Sequence, residues 1–411
     1  MNRLINISGC LLFCVMVLGA GCNDSKLIVP KWKPLEIFSS CNKVAIGGNQ
    51  VLVATDDGDL YAWGHNYTYT LGDPALRNQY IPIKIKSINN VKCVAAGANH
   101  SVVVKNDGTV WQWGKFDKEK GKPDVVYKTP QLVKNISGAI GVSADWDTTL
   151  VLTQLDGVYS WGKNKEGQLG LGNVSYYEEP QVIVNSQKFV FIETGGSKGY
   201  AIDSSGSLWE WGARVVETSH SRKLINNPIP VKNKWVINAV KISQVKGQLS
   251  LLTRDGKVLV WGVNIHGGLG TSIQDQYIFQ PTPIVYEGQA IDISGRQLLS
   301  DNREIWRWGL QYYYVGDGRI TRYPYKNTPT KLYDDSAGQQ IFTGGSRGVV
   351  VISIDEKGCL ESWGYTSSGQ RGDGSRNFQK LFFNNKRVKI KYKTSAVDGD
   401  FLCIQKEMNN E

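Results

Sequence analysis

Four cations, Lys198, Lys246, Arg296 and Arg347, are the groups of this 411-residue chain best spaced to do chemistry, at intervals of roughly fifty residues. They stand among exposed-type aromatics: Trp146 beside Asp145, Tyr67 and Tyr69, Tyr176 and Tyr177, Tyr312, Tyr313 and Tyr314, then Tyr323 and Tyr325. The chemistry such a set suits is recognition. Tyr, Trp and Arg are enriched at interface hot spots, and basic groups steer acidic partners. Catalytic constellations are missing. His65, His100, His220 and His266 have no Cys or carboxylate at ligand spacing, so no metal is expected. No phosphate-cradling loop or His-Glu-x-x-His helix occurs. The expectation is a non-enzyme without cofactor.

The spacing of the cations comes from a repeat. Trp-Gly occurs at Trp63, Trp113, Trp161, Trp211, Trp261, Trp308 and Trp363, in steps of 50, 48, 50, 50, 47 and 55 residues. Self-similarity at this period marks a solenoid, array or propeller. The clearest copy runs from Asp156-Gly157 through Trp161-Gly162 to Gly167-Gln168-Leu169-Gly170-Leu171-Gly172. Apolar runs such as Thr148 to Leu152 read as short strands, and Asn106-Asp107-Gly108 or Asp255-Gly256 as hairpin turns. A repeat then holds four antiparallel strands, the third carrying Trp-Gly and the fourth opened by a proline such as Pro180. Alternating strand direction places the Gly97-Ala98-Asn99-His100 type of turn and the loop after Trp-Gly on one face, and the Asp-Gly turns on the other. The front-face turns are where the copies differ: Asn49-Gln50, Asp145-Trp146, Lys198, Lys246, Arg296, Arg347 and Asp400. Cations in adjacent repeats predict a basic arc. The repeated tryptophans themselves, at a fixed place on a strand, predict core packing.

The pattern Gly-x-x-His, Asp-Gly-x-x-x-x-Trp-Gly, Asn-x-x-Gly-Gln-Leu-Gly-x-Gly resembles the regulator of chromosome condensation repeat. The match is closest at Trp161 to Gly172, good after Trp261 and Trp363, and degenerate at Trp113 and Trp211. The resemblance implies an all-β fold, a seven-bladed β-propeller of four-stranded antiparallel blades, and a structural role for His100. The ends do not tally. Residues 43–58 and 388–405 both read as the first half of a blade, so one must be a partial extra element.

Met1-Asn2-Arg3, the apolar stretch Leu4 to Ala20 and the ending Leu18-Gly19-Ala20-Gly21-Cys22 read as an export signal. That ending resembles a bacterial lipobox, with Cys22 the lipidated residue, although Gly19 holds the place where lipoboxes usually have Leu. The expected organisation is a signal peptide over 1–21, a tether over 22–29, one propeller over 30–405 and a tail over 406–411. Asn23 after the cysteine mildly favours the outer membrane, so the expected location is the cell envelope, with a monomeric body. Cys41, Cys93, Cys359 and Cys403 remain in that body; export permits disulfides, and four cysteines allow three pairings. The net charge of +10 biases partners toward acidic surfaces.

The function expected is protein binding through the front face. One exported protein similar in fold, the propeller-type β-lactamase inhibitor protein, uses aromatics in comparable turns. The alternatives are a carbohydrate or cell-wall ligand and inhibition of an exported enzyme. Nucleotide exchange, the activity of the eponymous family member, and nucleic-acid binding both sit poorly with export.

Overall fold

The computed structural model describes residues 35–403, save 119–120, 122, 156, 185–186, 218–221, 310–311, 315–319, 323–327, 334–337, 345–349, 356–359, 365–368, 373–387 and 393–401. Six four-stranded antiparallel sheets follow one another along the chain, over residues 44–84, 91–132, 139–182, 189–232, 239–283 and 290–333. They are blades 1 to 6. The third shows the plan: Ala139–Asp145 pairs with Thr148–Thr153, that with Val158–Lys163, and that with Tyr177–Val182. First strands of every sheet line one central channel of about 130 Å³. Second strands are almost wholly buried, Thr148–Thr153 and Gln248–Thr253 at every residue, because a neighbouring blade covers each face. Outer strands are half exposed. Burial on both faces is why the second strands read as continuous apolar runs instead of alternating ones.

The expectation of seven four-stranded blades is corrected. Six are four-stranded; the seventh Trp-Gly strand, Leu360–Gly364, belongs to a five-stranded sheet. There Val388–Tyr392 pairs beside Leu360–Gly364, and Leu402–Cys403 pairs beyond it. Residues 388–392 and 402–403 are thus outer strands, whereas 44–54 supply the first two strands of blade 1. The ring closes where Gly344, ending the first strand of the last sheet, abuts Ile46, so tightly that a Cβ would strike the Ile46 carbonyl. A second correction concerns proline. Pro130, Pro180 and Pro283 lie within or at the end of the outer strands instead of opening them, as an edge strand permits because its outward amide needs no partner.

Trp-Gly has the same local geometry in blades 1 to 5. The pairing register of third and fourth strands shifts across the tryptophan, a β-bulge. The following glycine takes φ between 91° and 111°. At Gly162 a Cβ would strike the Asp147 carbonyl, the same oxygen that accepts the Lys163 amide at 3.0 Å. This bond, repeated from Lys115 to Asn99 and from Val263 to Gly247, pins each front turn to the start of the loop after Trp-Gly. The expected pairing of front turns and post-Trp loops on one face is therefore what the backbone shows. The tryptophans are core, with Trp63, Trp113, Trp161 and Trp308 among the largest fully buried side chains.

Before blade 1, residues 35–42 cross the opposite end of the channel. The Leu35 amide bonds Arg254, that of Phe38 bonds Val240, and the Ser40 carbonyl accepts the Val142 amide at 3.0 Å. A disulfide joins Cys41 to Cys93, one of the three pairings the sequence allowed.

Candidate functional site

The front face carries a cleft of about 390 Å³ above blade 4. Three turns build it. Trp146 comes from the first turn of blade 3, Lys198 from that of blade 4 and Lys246 from that of blade 5. Three of the residues expected to bind a partner are therefore brought to one place.

Trp146 is 65% exposed and has a φ of 48°. Its backbone is held on both sides: its amide donates to Asp145 Oδ1 at 2.9 Å, and its carbonyl accepts the Ala98 amide of blade 2 at 2.8 Å. The indole reaches toward blade 4, where it lies 3.1 Å from the position a Cβ on Gly196 would occupy. Lys246, with φ of 50°, and Gly247, with φ of 76°, form a two-residue turn between the paired residues Val245 and Gln248. Both turn residues at positive φ is the hairpin type that usually takes Asn-Gly. A tryptophan and a lysine in left-handed conformation are uncommon, and such strain clusters where it positions side chains for function.

The far wall is an extended hairpin. Strands Leu208–Glu217 and Arg222–Lys232 run past the tryptophan and present Val215 and Leu224 to the cleft. This hairpin replaces the Asn-x-x-Gly-Gln-Leu-Gly loop, which the copy at Trp211 lacks. Blade 2, also degenerate, does the same with Val110–Phe116 and Val125–Leu132.

The cleft is mixed in charge. Asp145 is pushed up to about 6 by burial, and Asp147 is raised by burial and eased back by Lys163. Burial lowers Lys198 below the usual lysine range, partly countered by Glu210. Glu166 Oε2 accepts Gln168 Nε2 at 3.1 Å. Tyr200 and Tyr277 also line the cleft and were not among the residues singled out from sequence. A signal for Tyr200 existed: it lies two positions after Lys198 on one strand and so shares its face.

The remaining candidates disperse. Arg296 lies beside Gly309 in blade 6 and does not line the cleft, to which Lys198 and Lys246 both contribute. Arg347, Tyr323, Tyr325 and Cys22 lie outside the described residues, and Tyr312–Tyr314 forms a short strand paired with Ile320–Arg322. Tyr69 is covered by Lys128 at 5.2 Å and Tyr177 by Lys118 at 5.5 Å. Tyr176 donates to Asp117 Oδ2 at 2.6 Å under Lys165. These tyrosines stitch neighbouring blades with cation–π contacts and do not converge on the cleft. Tyr67 is 75% exposed against the edge of His65. His100 is buried, donates to or accepts from Thr149 at 2.9 Å across the blade 2–3 boundary, and is lowered to about 4 by burial.

Comparison with known proteins agrees with the geometry. A family model described as the regulator of chromosome condensation (RCC1) repeat matches residues 57–104 and 156–202, and a second for the same repeat matches 91–118. The chain carries regulator of chromosome condensation repeats. Similar proteins include the RCC1 domain-containing protein RUG3, mitochondrial, of Arabidopsis thaliana, 27% identical over 310 residues, 71% of this chain and 58% of that protein. The human E3 ubiquitin-protein ligase HERC2 is 28% identical over 346 residues, 79% of this chain but 7% of that protein. The secretion-regulating guanine nucleotide exchange factor of Bos taurus is 28% identical over 290 residues, 61% of each. The chain thus spans less than two thirds of these relatives. Solved structures share the fold: human WBSCR16 at a TM-score of 0.61, 20% identity, over 76% of this chain and 86% of that one. A chain in the crystal structure of Kap60 bound to yeast RCC1 (Prp20) aligns at a TM-score of 0.64, 15% identity, over 89% of this chain and 90% of that one.

Proposed function

We propose that this repeat propeller is a non-catalytic protein-binding module whose contact surface is the front-face cleft of Trp146, Lys198 and Lys246. The observation that carries the reading is Trp146: an exposed indole, fixed at an unfavourable backbone conformation, projecting over a cleft flanked by two lysines. An aromatic anchor over a pocket with charges around it is the anatomy of a binding hot spot. A rigid ring presents it with little ordering cost. Relatives whose names specify exchange-factor or ligase activity act on other proteins, which is consistent with such a surface here.

The body is proposed to be exported and tethered through a lipidated Cys22 at the cell envelope. The Cys41–Cys93 disulfide supports an oxidising compartment. The chain reaches blade 1 across the back of the ring, from Leu35 at Arg254 to Asn42 at Val94.

The test is affinity capture from native envelope extract with residues 26–411, comparing wild type with Trp146→Ala and with the pair Lys198→Glu and Lys246→Glu. Retention of one protein by wild type and its loss in both variants is expected. Equal retention by all three would overturn the cleft as the contact surface.

A further inference from the structure

The floor of the cleft holds two polar groups whose partners are missing from the fold. Lys198 donates no side-chain hydrogen bond and forms no salt bridge among the described residues, while its side chain lines both the cleft and a second depression behind it. The carboxylate that influences it electrostatically, Glu210, is already the acceptor of Asn233 Nδ2 at 2.9 Å. Two residues on, Tyr200 is fully buried and its hydroxyl also has no hydrogen-bond partner. A buried hydroxyl is almost always satisfied, so Tyr200 is an exception that calls for an explanation, whereas Lys198 is partly buried and keeps its ammonium accessible from the cleft.

We infer that the cleft is a carboxylate subsite, in which Lys198 takes the side chain of a glutamate from a partner protein and the Trp146 indole covers its stem. The inference rests on the protein-binding reading above and adds the chemistry of what enters. Charge sets the sign, since a cation without an acceptor at a cleft floor calls for an anion. The rim sets the size of that charge. Asp145, Asp147 and Glu166 line the same cleft, and they oppose a doubly charged phosphate more than a singly charged carboxylate. The walls choose the stem: Val215, Leu224 and Val263 are apolar and suit methylenes.

The probe is an acetylated, amidated octapeptide with a central Glu-Glu-Phe, compared with its Gln-Gln-Phe twin, by calorimetric titration into the full-length protein. The glutamate peptide is expected to bind at least tenfold more tightly to wild type. That preference should vanish in Lys198→Gln and survive in Lys198→Arg, which keeps the charge. Both variants are first checked for a wild-type melting transition. Equal binding of the two peptides to wild type, which needs no variant, would overturn the subsite. So would an unchanged preference in Lys198→Gln. The two readings fail separately: native partner capture that still depends on Trp146, with no glutamate preference, removes the carboxylate subsite and leaves the protein-binding surface standing.

Discussion

The Trp63 indole donates its Nε1 hydrogen to the backbone carbonyl of Gln370, 307 residues later in the chain, at 2.8 Å. The same link recurs between neighbours: Trp113 Nε1 to Thr70 at 2.7 Å and Trp211 Nε1 to Gln168 at 2.8 Å. At these junctions the loop after one Trp-Gly therefore packs on the tryptophan of the next repeat, and the last loop returns to the first tryptophan, whereas Trp161 bonds the Gln112 side chain of the preceding blade instead. Loop length matters because the loop is the mortar between adjacent blades.

Trp308 breaks the series and supplies a control. It sits against Gly270, yet its Nε1 is buried with no hydrogen-bond partner among the described residues. Trp63→Phe leaves the Gln370 carbonyl unsatisfied and should cost about 1–3 kcal/mol, read from the urea midpoint at constant slope. Trp308→Phe removes a donor that gains nothing and should cost clearly less. Equal losses would mean that ring volume, not the hydrogen bond, sets the energy.

The glycine after the tryptophan should be irreplaceable in a way other glycines are not. Gly162 has φ of 106° and no room for a Cβ beside the Asp147 carbonyl, whereas Gly157 has φ of 86° with open space around it. Gly157→Ala pays only for the left-handed backbone, about 1 kcal/mol. Gly162→Ala must also move the front turn beside Trp146, and a loss of about 3 kcal/mol or more is expected. Thermal melts of the two single variants decide it.

Much of this was legible in the sequence because the repeat is a backbone device. Trp-Gly, the Asp-Gly turns and the apolar second strands each follow from local φ or two-sided burial, so periodicity located them. The front face was legible as a face, and Trp146, Lys198 and Lys246 as residues on it. What the sequence hid is convergence. Tyr176, Tyr177 and Tyr69 look as available as Trp146, but each is engaged by a lysine or carboxylate from another repeat. Tyr277 enters the cleft from an outer strand whose start the proline signal misplaced. The blade count failed at the last sheet, where 388–405 imitates a first half-blade in pattern but Val388–Tyr392 and Leu402–Cys403 pair outside Leu360–Gly364.

The disulfide staples the crossing segment to blade 2 over a sequence separation of 52 residues. Closing a loop of that length in the unfolded chain is worth about 4 kcal/mol on the chain-entropy account. Replacing Cys41 and Cys93 by Ser together should lower the urea midpoint accordingly, and reductant should do the same to wild type. Because Ser40 and Asn42 also bond blades 2 to 4, hydrogen exchange at Val94 and Val142 should rise first. No change on reduction would show that the hydrogen bonds alone hold the segment.

Glu193 should make the propeller less stable as pH rises through neutrality. It faces the channel beside Ser143, and burial pushes its carboxyl up to about 8, despite Lys241, whose ammonium lies 2.5 Å from Asp292. The folded state therefore holds the proton more tightly than the unfolded chain, so the native advantage is complete below about 4.5. It declines as pH rises to about 8, then levels. Asp145, raised to about 6, acts in the same direction at lower pH, and His100, lowered to about 4, acts oppositely below 6.5. Across the interval from about pH 6.5 to 8, above the Asp145 and His100 transitions, Glu193 is expected to contribute a fall of about 2 kcal/mol. Urea midpoints at half-unit steps test this. Glu193→Gln should flatten the profile in that interval and be the more stable protein at pH 8. A wild-type profile already flat there would mean that Glu193 is ionised in the channel at neutral pH.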